Sequence, residues 1–214
     1  MTEPIVLEDF KVSIDPAEVR RFLGSKDRKR PAPGERFDDV LNDSLTAARG
    51  LIAPKAIYAH AAGREPAGSS IFAHLERMAF CVATIGPALE AEVTRLAAGG
   101  DLLRAVVLDS IGSVAAEAAA EVADETIAAE AAREGLKVSC RASPGYGDWD
   151  VREQEAVFKL LPAGRIGVRL SETFMMIPRK SVSFAVHVAA EPARLRSENS
   201  CENCARTNCA YRLE

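Results

Sequence analysis

Histidine occurs three times and tryptophan once in 214 residues, and aromatic side chains make up only 6% of the chain. No run of about 18 uninterrupted apolar residues is present, so a membrane-spanning helix is excluded. Neither sign of charge dominates: 27 basic against 31 acidic residues leave a formal −4, which argues against broad nucleic-acid binding. The opening MTEPIVLEDF has acids where a targeting peptide would carry bases beside an apolar stretch, so a cytoplasmic location is expected. The P-loop, a glycine-rich turn between strand and helix, GxSxG and HExxH are all missing. Their absence removes the usual sequence grounds for nucleotide-binding, serine-hydrolase and zinc-protease readings.

What remains is an ordinary globular composition, 48% hydrophobic and 27% charged, in a length that suits one sizeable domain or two small ones. Such a chain buries roughly two-thirds to three-quarters of its unfolded surface, so its core needs no disulfides. The five cysteines are unevenly spread. Cys81 and Cys140 stand alone, whereas Cys201, Cys204 and Cys209 crowd into the tail CENCARTNCAYR. A Cys-x2-Cys-x4-Cys pattern reads as metal binding or redox chemistry. Three thiolates fall short of a closed zinc site, which takes four, and Cys140 is the candidate fourth. An iron–sulfur cluster is the other metal reading. A Cys201–Cys204 disulfide, or an unoccupied tail, stays open.

Hydrophobic periodicity outlines the elements. Asp15-Pro16 starts a short helix ended by Gly24, and the basic, proline-containing stretch to Gly34 reads as a solvated loop. Helical spacing follows over Glu35–Leu51, with strands expected at Ala56–Ala61 and Ala79–Ile85 and a helix at 88–97. Asp101 can cap a long helix over about 102–134, with an apolar stripe of Leu103, Val107, Ile111, Val114, Ala118 and Val122. Beside it Gly112, Ala116, Ala119 and Ala123 form a small-residue groove, and Glu117, Glu121 and Glu125 read as a solvated acidic face. A helix over 150–161 and a strand over Ile166–Leu170 come next. Ser181–Ala189 alternates, with Val182, Phe184, Val186 and Val188 opposed to Ser181, Ser183, Ala185 and His187, which predicts an antiparallel sheet covered on one side. His60, His74 and His187 read as packed or surface residues, with His187 on the polar face of its strand.

RASPGYGDW, residues 141–149, concentrates binding chemistry. Pro144-Gly145 brings the backbone close to a ligand and places any positive φ on glycine. Arg141 offers a planar fork suited to a carboxylate. Tyr146 and Trp149 offer flat faces for a base or a sulfonium cation. A rigid surface turn with aromatic packing is the alternative.

This segment and the later LSETFMMIPRKSVS resemble the activation domain of cobalamin-dependent methionine synthase. In that family an R-x-x-x-G-Y segment precedes a helix, then a T-E-S-F-type turn, then P-x-x-S-V-S entering a strand. Arg141, Gly145 and Tyr146 match the first part, and Glu172, Phe174, Met176, Pro178, Ser181, Val182 and Ser183 the second. ATIGPALEAEVTRL and GDLLRAVVLDSIGSVAAEAAAE resemble stand-alone members, so the likeness spans about residues 75–190. One departure is local: Gly147-Asp148-Trp149 stands where the family's methionine synthase has P-A-C-P-D-H.

The resemblance implies an α+β domain, a twisted antiparallel sheet flanked by helices, that binds S-adenosylmethionine and docks over cobalamin carried by a partner. It implies that Arg141 holds the amino-acid carboxylate and that the backbone of Ala142, Ser143, Pro144 and Gly145 adds hydrogen bonds. Tyr146 is implied to sit beside the ligand facing the corrin, as the catalytic candidate. The expected organisation is a domain over residues 1–192 and a cysteine-rich tail over 193–214. The expected role is reductive methylation, that is, reactivation, of a corrinoid methyltransferase, with an electron donor and a possible cluster in the tail. A non-catalytic docking or scaffold subunit, or a metal-binding protein, is the alternative.

Overall fold

A computed structural model describes residues 1–23, 35–64 and 72–195. The basic stretch Gly24–Gly34 and the tail cysteines Cys201, Cys204 and Cys209 lie outside the described residues. The strands are β1 (Ile5–Leu7), β2 (Lys55–Ala61), β3 (Met78–Thr84), β4 (Lys137–Val138), β5 (Arg169–Leu170), β6 (Met176–Ile177) and β7 (Ser181–Ala189). The helices are α1 (Pro16–Phe22), α2 (Glu35–Ala48), α3 (Ala88–Ala98), α4 (Leu102–Arg133) and α5 (Gln154–Leu160). Five strands form one antiparallel sheet in the order β1-β2-β3-β7-β4, and β5 and β6 make a separate hairpin. The fold is α+β.

Asp15 caps α1 by accepting the Ala17 N–H at 2.8 Å, and Asp101 caps α4 by accepting the Arg104 N–H at 3.2 Å. At 32 residues α4 is about 48 Å long and packs against β2, β3, β7 and β4. Its buried side differs from the expected stripe. Leu103 is 42% exposed and Ala118 and Val122 are half-buried, while Ala115, Ala116, Ala119, Ala120 and Ala123 are buried with Val107, Ile111 and Ile127. A helix lying flat on a sheet needs small side chains at the closest approach, so the alanines take the core and the leucine does not. Against them lie Tyr58, Cys81, Phe184 and Val186 of β2, β3 and β7.

The other face of the sheet is also covered, which overturns the one-sided expectation. Every residue of β3 is buried, and Phe80, Val82 and Ala185 join Phe72, Trp149, Val157, Leu161, Ile166 and Val168 in a second core. The serines that made β7 read as half-polar are paired in that layer. Ser183 Oγ donates to Gln154 Oε1 at 2.9 Å, and Ser181 Oγ lies 2.7 Å from the Pro178 carbonyl and 2.9 Å from Thr84 Oγ1. A buried hydroxyl with partners avoids the desolvation penalty that would otherwise drive it to the surface. The strand expected over Ile166–Leu170 begins in the end of a 3₁₀ turn at Ala163–Ile166, followed by Gly167 left-handed at φ 77°, and only Arg169–Leu170 pairs.

Packing runs past Pro192. The Ala193 N–H donates to His187 Nδ1 at 2.7 Å, and Leu195 is buried in the second core. His187 is thus a structural clasp, and its burial holds the imidazole below its ordinary pKa. Among the described residues no helix is long and apolar enough to cross a membrane.

Candidate functional site

The site grows from an irregularity in the β4–β7 ladder. Lys137 and Val138 pair with Ala189 and Val188, but Ala142 pairs with Ala185, so the register slips by one residue between them. Strict alternation from Val138, which packs on the helix-side core, would send Ala142 to the helices and Arg141 away from them. The extra residue is a β-bulge at Cys140–Arg141 and reverses that assignment. Ala142 enters the second core, and the Arg141 side chain turns toward α4.

There the guanidinium meets three groups. Its Nη2 donates to Glu117 Oε2 at 3.4 Å, its Nε lies 3.9 Å from Asp124 Oδ2, and its Cζ stands 5.5 Å from the centre of the Phe184 ring. The side chain is 23% exposed, open enough for a ligand to reach. Asp124 has one buried carboxylate oxygen, Oδ1, with no partner. Burial pushes its pKa up to about 6, against the pull of Arg141 and reinforced by Glu121 and Glu125. Beneath them Cys81 is fully buried, and burial pushes its thiol far above the ordinary range, so it is no nucleophile.

After Ala142 the chain turns sharply. Ser143 C=O accepts the Tyr146 N–H at 3.2 Å, with Pro144 and Gly145 between them and Gly145 at φ 90°, the arrangement of a type II turn. Gly145 N–H donates to Trp149 C=O at 2.7 Å. Tyr146 is 57% exposed at the turn's tip. Trp149 is placed otherwise. It is 1% exposed, its ring edge-on to Phe72 at 4.8 Å, so it anchors the turn in the second core and presents no free face. The backbone expectation narrows as well. Ala142 exchanges both its hydrogen bonds with Ala185, and the Gly145 and Tyr146 N–H groups are bonded within the turn.

The second motif sits beside the first through Gln154. Its Nε2 donates to the Phe174 carbonyl at 2.8 Å and its Oε1 accepts from Ser183, tying the Ser171–Met175 turn to β7. Phe174 holds φ 61° in that turn. On the other side of β7, Lys180 is fixed by Asp109 at 2.8 Å and Ser113 at 2.9 Å on α4. Arg141, Tyr146 and the 171–183 segment therefore hang on the same strand.

Glu117, Asp124 and Gln154 are the residues that sequence reading passed over as site members. Glu117 and Asp124 are seven apart, hence on one helical face, but only the Arg141 side chain identifies that face as special. Cys140 is exposed, and among the described residues no group of three or more His, Cys, Asp or Glu is arranged to hold a metal ion. His60 lies 3.6 Å from Glu130, and His74 is exposed, both away from this cluster. A cavity of about 430 Å³ among α2, α3 and α4 is a separate groove, and its Arg104 and Arg95 are paired with Asp43 and Glu92.

Comparison with known proteins adds two findings. The family model described as vitamin B12 dependent methionine synthase, activation domain, matches residues 73–198, a range that includes every residue of this cluster. The crystal structure of the MetH reactivation domain bound to AdoHcy matches with a TM-score of 0.63 at 15% identity, over 91% of this chain and 81% of that one. That likeness is one of fold. No curated protein matches the sequence.

Proposed function

The chain belongs to the activation-domain family of vitamin B12 dependent methionine synthases, and from that premise we propose that it binds S-adenosylmethionine for the reactivation of a corrinoid methyltransferase. The observation that carries this reading is the Arg141 guanidinium. It is part-exposed, backed by Phe184 and flanked by two carboxylates, beside a turn that ends in an exposed tyrosine. A guanidinium next to carboxylates suits a zwitterion, since one end can take the ligand's carboxylate and the acids its ammonium. Tyr146, at the turn's tip, is the group this reading sets against the corrin.

The chemistry is transfer of a sulfonium methyl group to a reduced corrinoid on a partner protein, with an external donor supplying one electron. The sulfonium and the corrinoid carry that reaction, and the protein's share is orientation and electrostatics. Side chains carry most of the recognition, because the turn's amides are largely engaged. The tail cysteines with Cys140 are proposed as a zinc or iron–sulfur site, for which iron, zinc and labile-sulfide analysis of anaerobically purified protein is decisive.

Calorimetric titration with S-adenosylmethionine, run beside Arg141→Ala, tests the reading. Saturable binding that the substitution weakens by about 1.5–3 kcal/mol, the scale of a charged hydrogen bond, is expected. No saturable binding to the wild type, alone or with a cob(II)alamin-bearing partner, would overturn it. Stable partner binding without the ligand would favour a docking subunit instead.

A further inference from the structure

Asp124 has a geometry that ion pairing alone does not account for. Its Oδ1 is buried without a partner, its Oδ2 stands 3.9 Å from Arg141 Nε, and the groups facing it are few. From α4 itself these are Glu121 and Glu125, from the bulge Arg141, and from β3 the buried Cys81. Nε and Nη2 form one edge of a guanidinium, and both turn toward α4. Among the described residues the hydrogen bond and the closest ion-pair contacts of Arg141 run through Nη2 and Nε, and no hydrogen bond is made by Nη1.

We propose that Asp124 is a positioning residue for ligand binding: with Glu117 it holds the Nε–Nη2 edge of Arg141 against α4, leaving the Nη1 end to meet the ligand's carboxylate. The inference rests on the proposed S-adenosylmethionine reading. Ionised, Asp124 draws Nε toward the helix and keeps the guanidinium over Phe184. Protonated, it loses that pull, and Glu117, 52% exposed and held at 3.4 Å, is left as a looser restraint. A half-exposed pair of this kind fixes geometry weakly. Because burial sets the Asp124 transition near pH 6, the restraint tightens as pH rises from 5 to 7.

Two readouts test this. In the free protein, the Arg141 Nε–H resonance followed by NMR should shift with a midpoint near pH 6 in the wild type and stay fixed in Asp124→Asn. In titrations with S-adenosylmethionine, wild-type affinity should rise roughly three- to tenfold between pH 5 and 7. Asp124→Asn should bind roughly tenfold more weakly at pH 7 with a flat profile, and Asp124→Glu should restore the slope. A wild-type Arg141 resonance that ignores pH, or an Asn variant with unchanged affinity and slope, would overturn the proposal. If no form binds the ligand while the Arg141 resonance still titrates, the ligand reading fails and the restraint on Arg141 stands.

Discussion

The two faces of the central sheet are built by different means. On one, a single 32-residue helix lays a row of alanines across Cys81, Phe184 and Val186. On the other, the short helix α5 and irregular segments cover Phe80, Val82 and Ala185, with large side chains such as Phe72, Trp149 and Leu161 among them. The helical face gains its stability from many small close contacts, and the irregular face from a few large anchors. The candidate site lies at the seam, where a bulge sends Arg141 to the first face and Ala142 to the second. A binding turn needs rigid support without regular pairing of its own, and a layer of single anchors supplies it.

If the contrast is right, removing an anchor hurts most. Trp149→Ala should cost about 3–5 kcal/mol of unfolding free energy, read by urea titration, because the ring is buried against Phe72 and its loss leaves a cavity under the turn. On the helical face the sensitive direction is the reverse, and Ala119→Leu should cost about 1–3 kcal/mol through overpacking against the sheet. The smallest effect has the opposite sign. The folded chain keeps the Asp124 proton until about pH 6, whereas an unfolded aspartate gives it up near 3.8. Wild-type stability therefore falls as pH rises through that window, and Asp124→Asn should lack the fall. At pH 7 that variant should be about 1–2 kcal/mol more stable, the upper limit of the shift being reduced by the side chain's partial exposure. A gain in stability beside a loss in ligand affinity would mark Asp124 as a residue kept for the site.

The helical face was legible because its signals repeat. Asp101 before an apolar period, Gly86-Pro87 before α3 and the uniformly apolar AFCVATI each announce an element by pattern. On the irregular face the helix over 150–161 was readable, but the loops around it carry no pattern. Ser183 looked solvent-facing because alternation cannot show that Gln154, 29 residues upstream, will pair with it. Trp149 looked like a ligand face because composition cannot tell an anchor from a platform, and Phe72 is distant in sequence. The resemblance supplied Arg141 and Tyr146. The contact of Asp124 with Arg141 could be seen only once the bulge had reversed the alternation and aimed Arg141 at α4.

The turn's hydrogen bonding has a consequence for how such a site can change over time. Since the N–H groups of Ala142, Gly145, Tyr146 and Trp149 are all held inside the fold, what the turn recognises must be read mainly by side chains. A cradle of amides can be retuned only by rerouting the chain, which disturbs everything packed beneath it. A recognition surface of side chains changes one codon at a time while the loop path stays put. A domain built this way can drift in what its loop recognises and still keep its shape.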